Sequence, residues 1–131
     1  MKHAEAAFFK TKTVGPGTFD FNGRWINELS SQMELSVSGP DVTGVYTSAV
    51  SEHGGRTAPF ALKGTVCGDL ISFTVNWEEA ITTWTGHGIL ANGKRRILTL
   101  WHLIQTIPDE TDPQQQWRTV LSGADEFDPV G

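Results

Sequence analysis

Apolar and polar residues alternate along most of this chain with a period of two. Such alternation is typical of strands that bury one face and expose the other. In residues 32–38, for example, Met33, Leu35 and Val37 alternate with polar side chains. No stretch of useful length shows a helical period. The pattern predicts eight strands, at residues 19–29, 32–38, 42–50, 60–67, 70–77, 80–90, 94–104 and 118–124.

Short turns separate the predicted strands. Asn92-Gly93 is the strongest hairpin signal, because both residue types tolerate the backbone conformation of a two-residue turn. Residues 38–41 and 67–69 also have the composition of tight turns. Short antiparallel strands joined in this way predict an all-β fold, either an up-and-down barrel or a sandwich. A closed barrel of about eight strands has an interior just wide enough for one small ligand.

Five tryptophans lie on or beside different predicted strands: Trp25, Trp77, Trp84, Trp101 and Trp117. A buried indole supplies a large apolar area and one N–H group that needs a hydrogen-bond partner. Indoles from several strands converge only if the sheet curls, so they favour a barrel with an aromatic interior. We assign Trp25 to the core near the closed end of that barrel.

The seventh predicted strand is apolar on both faces. One face carries Ile97, Trp101 and Leu103, and the other carries Leu98, Leu100 and Ile104. An antiparallel strand with one face in water is expected to be polar on that face. We therefore expect another copy of the chain to cover the outer face, which predicts a homo-oligomer.

The composition narrows the class of protein. At 131 residues the chain is long enough for one domain with its own core. We expect a flexible N-terminal extension at residues 1–17 and the barrel at residues 18–131. A net charge of -5 without a basic stripe argues against nucleic acid binding. No run of about 18 apolar residues is present, which argues against a membrane span.

The sequence also gives no sign of a metal site. Cys67 is the single cysteine, so neither an internal disulfide nor a zinc site with paired thiolates is expected. The histidines lie far apart and lack ligand spacing. The apolar segment near the N-terminus is too short and too acidic to be a secretory leader. This leaves open a cytosolic protein and one whose leader has been removed; we expect a secreted or periplasmic location.

Six motifs occur in order between residues 23 and 127: G-R-W-I-N-E-L-S-S, V-T-G-V-Y-T-S-A-V, F-T-V-N-W, T-T-W-T-G, T-L-W-H-L and W-R-T-V-L-S-G-A-D-E-F. Together they resemble the ligand-contacting segments of the avidin and streptavidin family. The resemblance implies an eight-stranded barrel that binds biotin very tightly at one end. It also implies a tetramer, with a dimer as the alternative, and no further cofactor.

The same resemblance implies a role for individual polar residues. Asn27, Ser31 and Tyr46 match the family's three donors to the ureido oxygen of biotin. Three hydrogen bonds to one carbonyl draw negative charge onto its oxygen, as an oxyanion hole does. Asp125 and Ser48 match the two acceptors of the ureido N–H groups.

Other residues are implied as the walls of the pocket. The resemblance places Thr82 against the thioether sulfur of biotin, Trp77, Trp84 and Trp101 around its rings, Leu29, Val50 and Leu103 in the gaps, and Trp117 in the site of a neighbouring subunit.

Two features depart from the family. Ala80 replaces a serine that binds the ligand's carboxylate, and the loop at residues 51–58 contains Glu52. We therefore expect biotin amide to bind nearly as well as biotin.

Two other functions are considered. A lipocalin-like carrier of another small apolar cyclic ligand would keep the barrel and its tryptophans, but would not need Asn27, Ser31, Tyr46 and Asp125 together. An enzyme could use Asp125 and Tyr46 as acid and base, but no nucleophile or metal accompanies them. The hypothesis we prefer is a non-enzymatic protein that sequesters biotin or biotinylated molecules.

Overall fold

The computed structural model describes residues 19–49, 59–106 and 120–130, and every regular element in these ranges is a β-strand. The strands are β1 (Gly23–Asn27), β2 (Gln32–Ser38), β3 (Asp41–Thr47), β4 (Phe60–Cys67), β5 (Leu70–Asn76), β6 (Ala80–Ala91), β7 (Lys94–Gln105) and β8 (Val120–Pro129). Within these ranges no helix is long and apolar enough to cross a bilayer. The expected N-terminal extension lies outside the described residues.

All eight strands form one closed antiparallel barrel. Each strand pairs with the next along the chain, and β8 pairs with β1 to complete the ring. The Asn92-Gly93 turn that joins β6 to β7 has φ values of 53° and 78°, as the sequence predicted. The prediction of an eight-stranded up-and-down barrel is therefore confirmed, and the sandwich is not observed.

Alternation in the sequence corresponds to alternation between the inside and the outside of the barrel. On β2, Met33 and Leu35 are buried while their neighbours Glu34 and Ser36 are exposed. The same rule holds on β5, where Phe73 is buried between half-buried polar residues. Burial of one face of each strand supplies the apolar contact area that holds the barrel together.

The predicted limits of the first and last strands are wrong at functionally relevant places. The first strand begins at Gly23 and not at residue 19, because Gly23 adopts a φ of 120° that other residues rarely reach. It ends at Asn27, whose carbonyl accepts the N–H of Ser30 at 3.0 Å in a tight turn. The last strand continues to Pro129, past the predicted end at residue 124, so Asp125 lies inside a strand.

The end of the barrel at which β1 begins is filled by aromatic side chains. Trp25 is fully buried, and its indole N–H donates to the carbonyl of Phe21 at 2.9 Å. Phe19 stacks against this indole with ring centroids 6.0 Å apart. The guanidinium of Arg95 lies 5.1 Å from the centre of the Trp25 ring. Trp25 is thus a core residue, as the sequence predicted.

The outer surface of β6, β7 and β8 carries an apolar strip. Cross-strand pairing joins Ile104 to Ile81 on β6 and to Val120 on β8, and Leu98 and Leu100 lie on the same side of β7 as Ile104. We call these five residues the outer apolar face. Leu100 is 66% exposed and Ile104 is 56% exposed, whereas Ile97 on the opposite side of β7 is fully buried. The prediction that β7 is apolar on both faces is confirmed. What covers the outer face stays a prediction.

Candidate functional site

A cavity of about 250 Å³ opens at the end of the barrel where β1 ends. Because the strands are antiparallel, the ends of odd-numbered strands meet the starts of even-numbered strands at this rim. Liquid water occupies about 30 Å³ per molecule, so the cavity has room for about eight waters or one compact ligand. It is lined by Asn27, Leu29, Ser31, Tyr46, Ser48, Trp77, Thr82, Trp84, Trp101, Leu103 and Asp125.

Aromatic rings form a packed wall of the cavity. Trp84 stacks on Phe73, with ring centroids 5.0 Å apart and planes inclined by 16°. Its other neighbour is Tyr46, at 4.9 Å. Trp77 makes edge-to-face contacts with Tyr46 and Phe60, with ring centroids 5.7 Å and 5.0 Å apart. Such interlocked rings hold one another in place, so the wall exists before any ligand arrives.

Trp101 has a separate support on the neighbouring strand. Its indole lies directly over Gly123 of β8, where a Cβ atom would approach the ring carbon Cζ2 to 2.5 Å. No side chain fits between the ring and the β8 backbone at this distance. Gly123 therefore allows the indole to lie against the strand while its other side borders the cavity.

The polar end of the cavity is organised around Asn27. Its side-chain oxygen Oδ1 accepts the backbone N–H groups of Leu29 at 3.0 Å and Ser31 at 2.9 Å. These two bonds fix the orientation of the amide, because only Oδ1 can accept a hydrogen bond. The amide nitrogen Nδ2 then points to the hydroxyl of Tyr46, at 3.4 Å. The local turn thus aims a donor into the barrel.

Two hydroxyl groups lie beside this amide. The backbone N–H of Ala49 donates to Ser31 Oγ at 3.0 Å, so the hydroxyl proton of Ser31 is left to be donated elsewhere. Tyr46 is buried. Burial, followed by the charge of Asp125, raises the pKa of the Tyr46 phenol, while a hydrogen bond with Ser31 opposes the rise. Tyr46 therefore keeps its proton, and both hydroxyls can serve as donors.

Asp125 supplies the acceptor. Its carboxylate oxygen Oδ2 accepts the indole N–H of Trp84 at 2.9 Å, and its backbone carbonyl accepts the hydroxyl of Thr99 at 3.1 Å. The side chain is buried. Burial raises the pKa of this carboxyl, and the bond from Trp84 opposes the rise. The second indole N–H of the wall, that of Trp77, donates to Thr82 Oγ1 at 2.9 Å.

This arrangement selects a particular ligand chemistry. Donors from Asn27, Ser31 and Tyr46 suit a strongly polarised carbonyl oxygen, and Asp125 suits an adjacent N–H group. Indole faces suit the apolar surface of a ring. No group of three metal-ligating side chains occurs in the described ranges. The site therefore suits a small ligand that carries a carbonyl group, an N–H group and an apolar ring.

The comparison with known families agrees with this geometry. The model of the avidin family matches residues 16–130 of this chain, which is most of its length. The chain belongs to the avidin family. The resemblance drawn from the six sequence motifs is thereby confirmed.

Individual avidin-family relatives show the same barrel. Afifavidin from Afifella pfennigii is 34% identical over 86 residues, which are 60% of this chain and 54% of the relative. The match thus spans about half the length of this curated relative. The crystal structure of xenavidin has a TM-score of 0.75 at 28% identity, covering 86% of this chain and 99% of that one. A rhizavidin–biotin complex has a TM-score of 0.69 at 26% identity, covering 82% and 98%.

The structure brings together all of the predicted ligand-binding residues that it describes, since each of them lines the cavity. Val50 and Trp117 lie outside the described residues. Three of these residues lie outside the strands predicted to contain them. Leu29 lies in the turn after β1 and is 59% exposed at the cavity mouth, and Ser48 and Trp77 follow the last residues of β3 and β5. The contacts of these residues with biotin stay predictions. Ala80 begins β6 and is not among the lining residues.

Two residues of functional interest were not singled out from the sequence. Glu28 follows Asn27 in the chain and lies in the turn after β1, and the family resemblance that assigned the other site residues gave it no role. Gly123 has no side chain, so its contact with Trp101 depends entirely on strand register. Its position two residues before Asp125, on the same face of β8, was the one available signal.

Proposed function

We propose that this protein binds biotin with high affinity in the cavity and releases it chemically unchanged. The observation that carries the proposal is the pairing of three donors, Asn27, Ser31 and Tyr46, with the buried acceptor Asp125 in one indole-walled cavity. Membership of the avidin family supports it, and so does the similarity to rhizavidin, whose solved structure contains biotin.

In this proposal the ureido ring occupies the polar end of the cavity. Its carbonyl oxygen receives the three donors, which draws negative charge onto the oxygen and strengthens each bond. One ureido N–H donates to Asp125 and the other to Ser48. The hydrogen bond to the buried carboxylate is charge-assisted and stronger than a neutral one.

Preorganisation accounts for the high affinity. The amide of Asn27 is already oriented by Leu29 and Ser31, and the carboxylate of Asp125 is already held by Trp84. Little ordering is therefore required when the ligand binds, and more of the contact energy appears as affinity. The rings of Trp77 and Trp101 then cover the apolar face of the bicycle, with Thr82 near its sulfur.

A carrier for an unrelated apolar ring fits these observations less well. A purely apolar ligand would leave Asn27, Tyr46 and Asp125 buried without new partners, which costs free energy. The buried polar cluster therefore favours a ligand that carries both a carbonyl and an N–H group.

Isothermal titration calorimetry with competition tests the proposal. We expect biotin to bind with a Kd below about 1 nM, near -12 kcal/mol, and biotin amide to bind nearly as tightly. A tetrahydrothiophene valerate without the ureido ring is the matched control ligand and is expected to bind far more weakly. Equal affinity for that control would support the carrier instead. Mass spectrometry of ligand recovered after long incubation should show intact biotin.

We also propose that the outer apolar face packs against another copy of the chain, giving a tetramer, with a dimer as the alternative. Leu100 is at the centre of this face and is 66% exposed. Ile104 on the same strand and Ile81 on β6 are 56% and 47% exposed, and apolar side chains exposed to this extent on adjacent strands are costly to leave in water. In such an assembly Trp117 of a neighbouring subunit would complete the site.

Light-scattering mass tests this assembly. Leu100→Lys is expected to lower the mass, because it places a charge in the apolar contact. Leu90→Lys is the matched control, since Leu90 is 72% exposed and lies outside the outer apolar face. An unchanged mass for Leu100→Lys, or an equal loss in both variants, would contradict the proposed contact.

A further inference from the structure

Glu28 links the turn after β1 to the strand that carries Asp125. Its carboxylate oxygen Oε2 accepts the backbone N–H of Glu126 at 3.1 Å. Glu126 directly follows Asp125 on β8, and Asn27 directly precedes Glu28. The contact joins residues 98 positions apart and places a second carboxyl group near the candidate acceptor of the ligand.

The two carboxyl groups interact. Burial is the main cause that raises the pKa of Asp125, and a hydrogen bond with Glu28 together with the charge of Glu28 raises it further. Bonds from Trp84 and Asn27 act in the opposite direction. The negative charge of Glu28 repels the charged form of Asp125, so Asp125 takes up a proton more readily than an isolated carboxyl group does.

Other charged groups near β8 do not offset this repulsion. Arg96 pairs with Glu126 at 3.6 Å and with Asp128 at 2.8 Å, and these side chains are on the outer surface. Tyr46 faces Asp125 from β3 as a neutral phenol. In the described part of the chain, no cation contributes to the charge balance at Asp125.

We propose that Glu28 is a positioning residue that makes ligand affinity depend on pH, because its carboxylate lies beside Asp125 and accepts a hydrogen bond from Asp125 once Asp125 is protonated. This inference rests on the proposed function, because it concerns the acceptor of the ureido N–H. Asp125 accepts that N–H well only as a carboxylate. When Asp125 takes up a proton, it becomes a donor to Glu28 and the ligand loses its charged partner.

The raised pKa of Asp125 sets the direction in which affinity changes with pH. A raised pKa means that Asp125 takes up its proton at a higher pH than an ordinary aspartate, so affinity decreases as the pH falls through that raised value. Ligand binding favours the carboxylate and therefore releases a proton in the same range. In Glu28→Gln the side-chain amide can donate to Asp125, which stabilises the carboxylate and moves the loss of affinity to lower pH.

The test measures biotin affinity of the intact protein between about pH 8 and about pH 4.5, with Glu28→Gln as the variant. Wild type is expected to lose at least about tenfold in affinity across this range, and Glu28→Gln less than about threefold. Glu34→Gln is the matched control, because Glu34 is an exposed carboxylate on β2 that pairs with Arg24. It should behave as wild type.

Calorimetry in buffers of different ionisation enthalpy adds a readout that a merely structural role would not change. Wild type should release a proton on binding biotin in the acidic part of the range, and Glu28→Gln should release less. If Glu28→Gln folds poorly, Glu28→Asp keeps the carboxyl group and should restore proton release.

The outcomes separate this inference from the proposed function. Binding that is tight but has the same pH profile and proton release in wild type and Glu28→Gln would overturn the role of Glu28 alone. Absence of biotin binding at every pH would overturn the proposed function, and this inference with it.

Discussion

Asp125→Ala is expected to weaken biotin binding by about 2–4 kcal/mol, roughly 30- to 1,000-fold. The substitution removes the charged acceptor of a ureido N–H. It also leaves the indole N–H of Trp84 without the partner that it has at 2.9 Å. Both losses occur in a buried environment, where an unpaired polar group is most costly. The loss should appear mainly as faster dissociation, measured by competition with excess biotin.

Asp128→Ala is the matched control for this prediction. Asp128 is on the same strand, but it faces outwards and pairs with Arg96 at 2.8 Å. Its removal takes away the same chemical group at the surface, where an ion pair contributes little. We expect an unchanged dissociation rate. Equal rates for Asp125→Ala and wild type would contradict the assigned site.

Asn27→Ala is expected to weaken binding by a similar amount, about 2–4 kcal/mol. Its Nδ2 group is lost as a donor to the ureido oxygen. Its Oδ1 atom is also lost as the acceptor for Leu29 and Ser31, so the turn that places Ser31 is loosened. The variant therefore removes one donor and misplaces a second, and calorimetry should show a loss of binding enthalpy.

Asn22→Ala separates binding from folding. Asn22 also accepts a backbone N–H through Oδ1, from Val37 at 2.8 Å, but it lies before the start of β1, at the closed end. Both variants should lower the thermal midpoint, and only Asn27→Ala should lower affinity. If Asn22→Ala reduced biotin binding as strongly, the loss would reflect a weakened barrel and not a lost contact.

Much of the fold could be predicted because each strand of a barrel has one face inside the barrel and one face outside it. On β2 and β5 every second residue is apolar and buried or half-buried, and the predicted limits are close to those observed. At β1 the alternation of apolar and polar residues predicted a longer strand than the structure contains. Phe21 is buried and Phe19 is half-buried, as strand residues would be, but they pack across the closed end, and the backbone turns at Gly23.

Part of the site could be predicted from the same alternation of inward and outward positions. Asn27, Thr82 and Asp125 are polar residues at inward positions, and inward polar residues need partners. Their assignment to a single ligand came from the family resemblance and not from periodicity. Glu28 was missed because a turn residue has no fixed face, and its contact with Glu126 is set by the pairing of β1 with β8.

Closure of the ring by β8 and β1 has a consequence for how copies of this protein meet. A sheet with an open margin offers unpaired N–H and C=O groups on which a foreign strand can grow, which is the route to fibrils. Each of the eight strands of this barrel has both of its margins occupied. Copies can therefore associate only by packing side chains on their outer surfaces, and not by adding strands. Such contacts favour discrete particles over indefinite polymers.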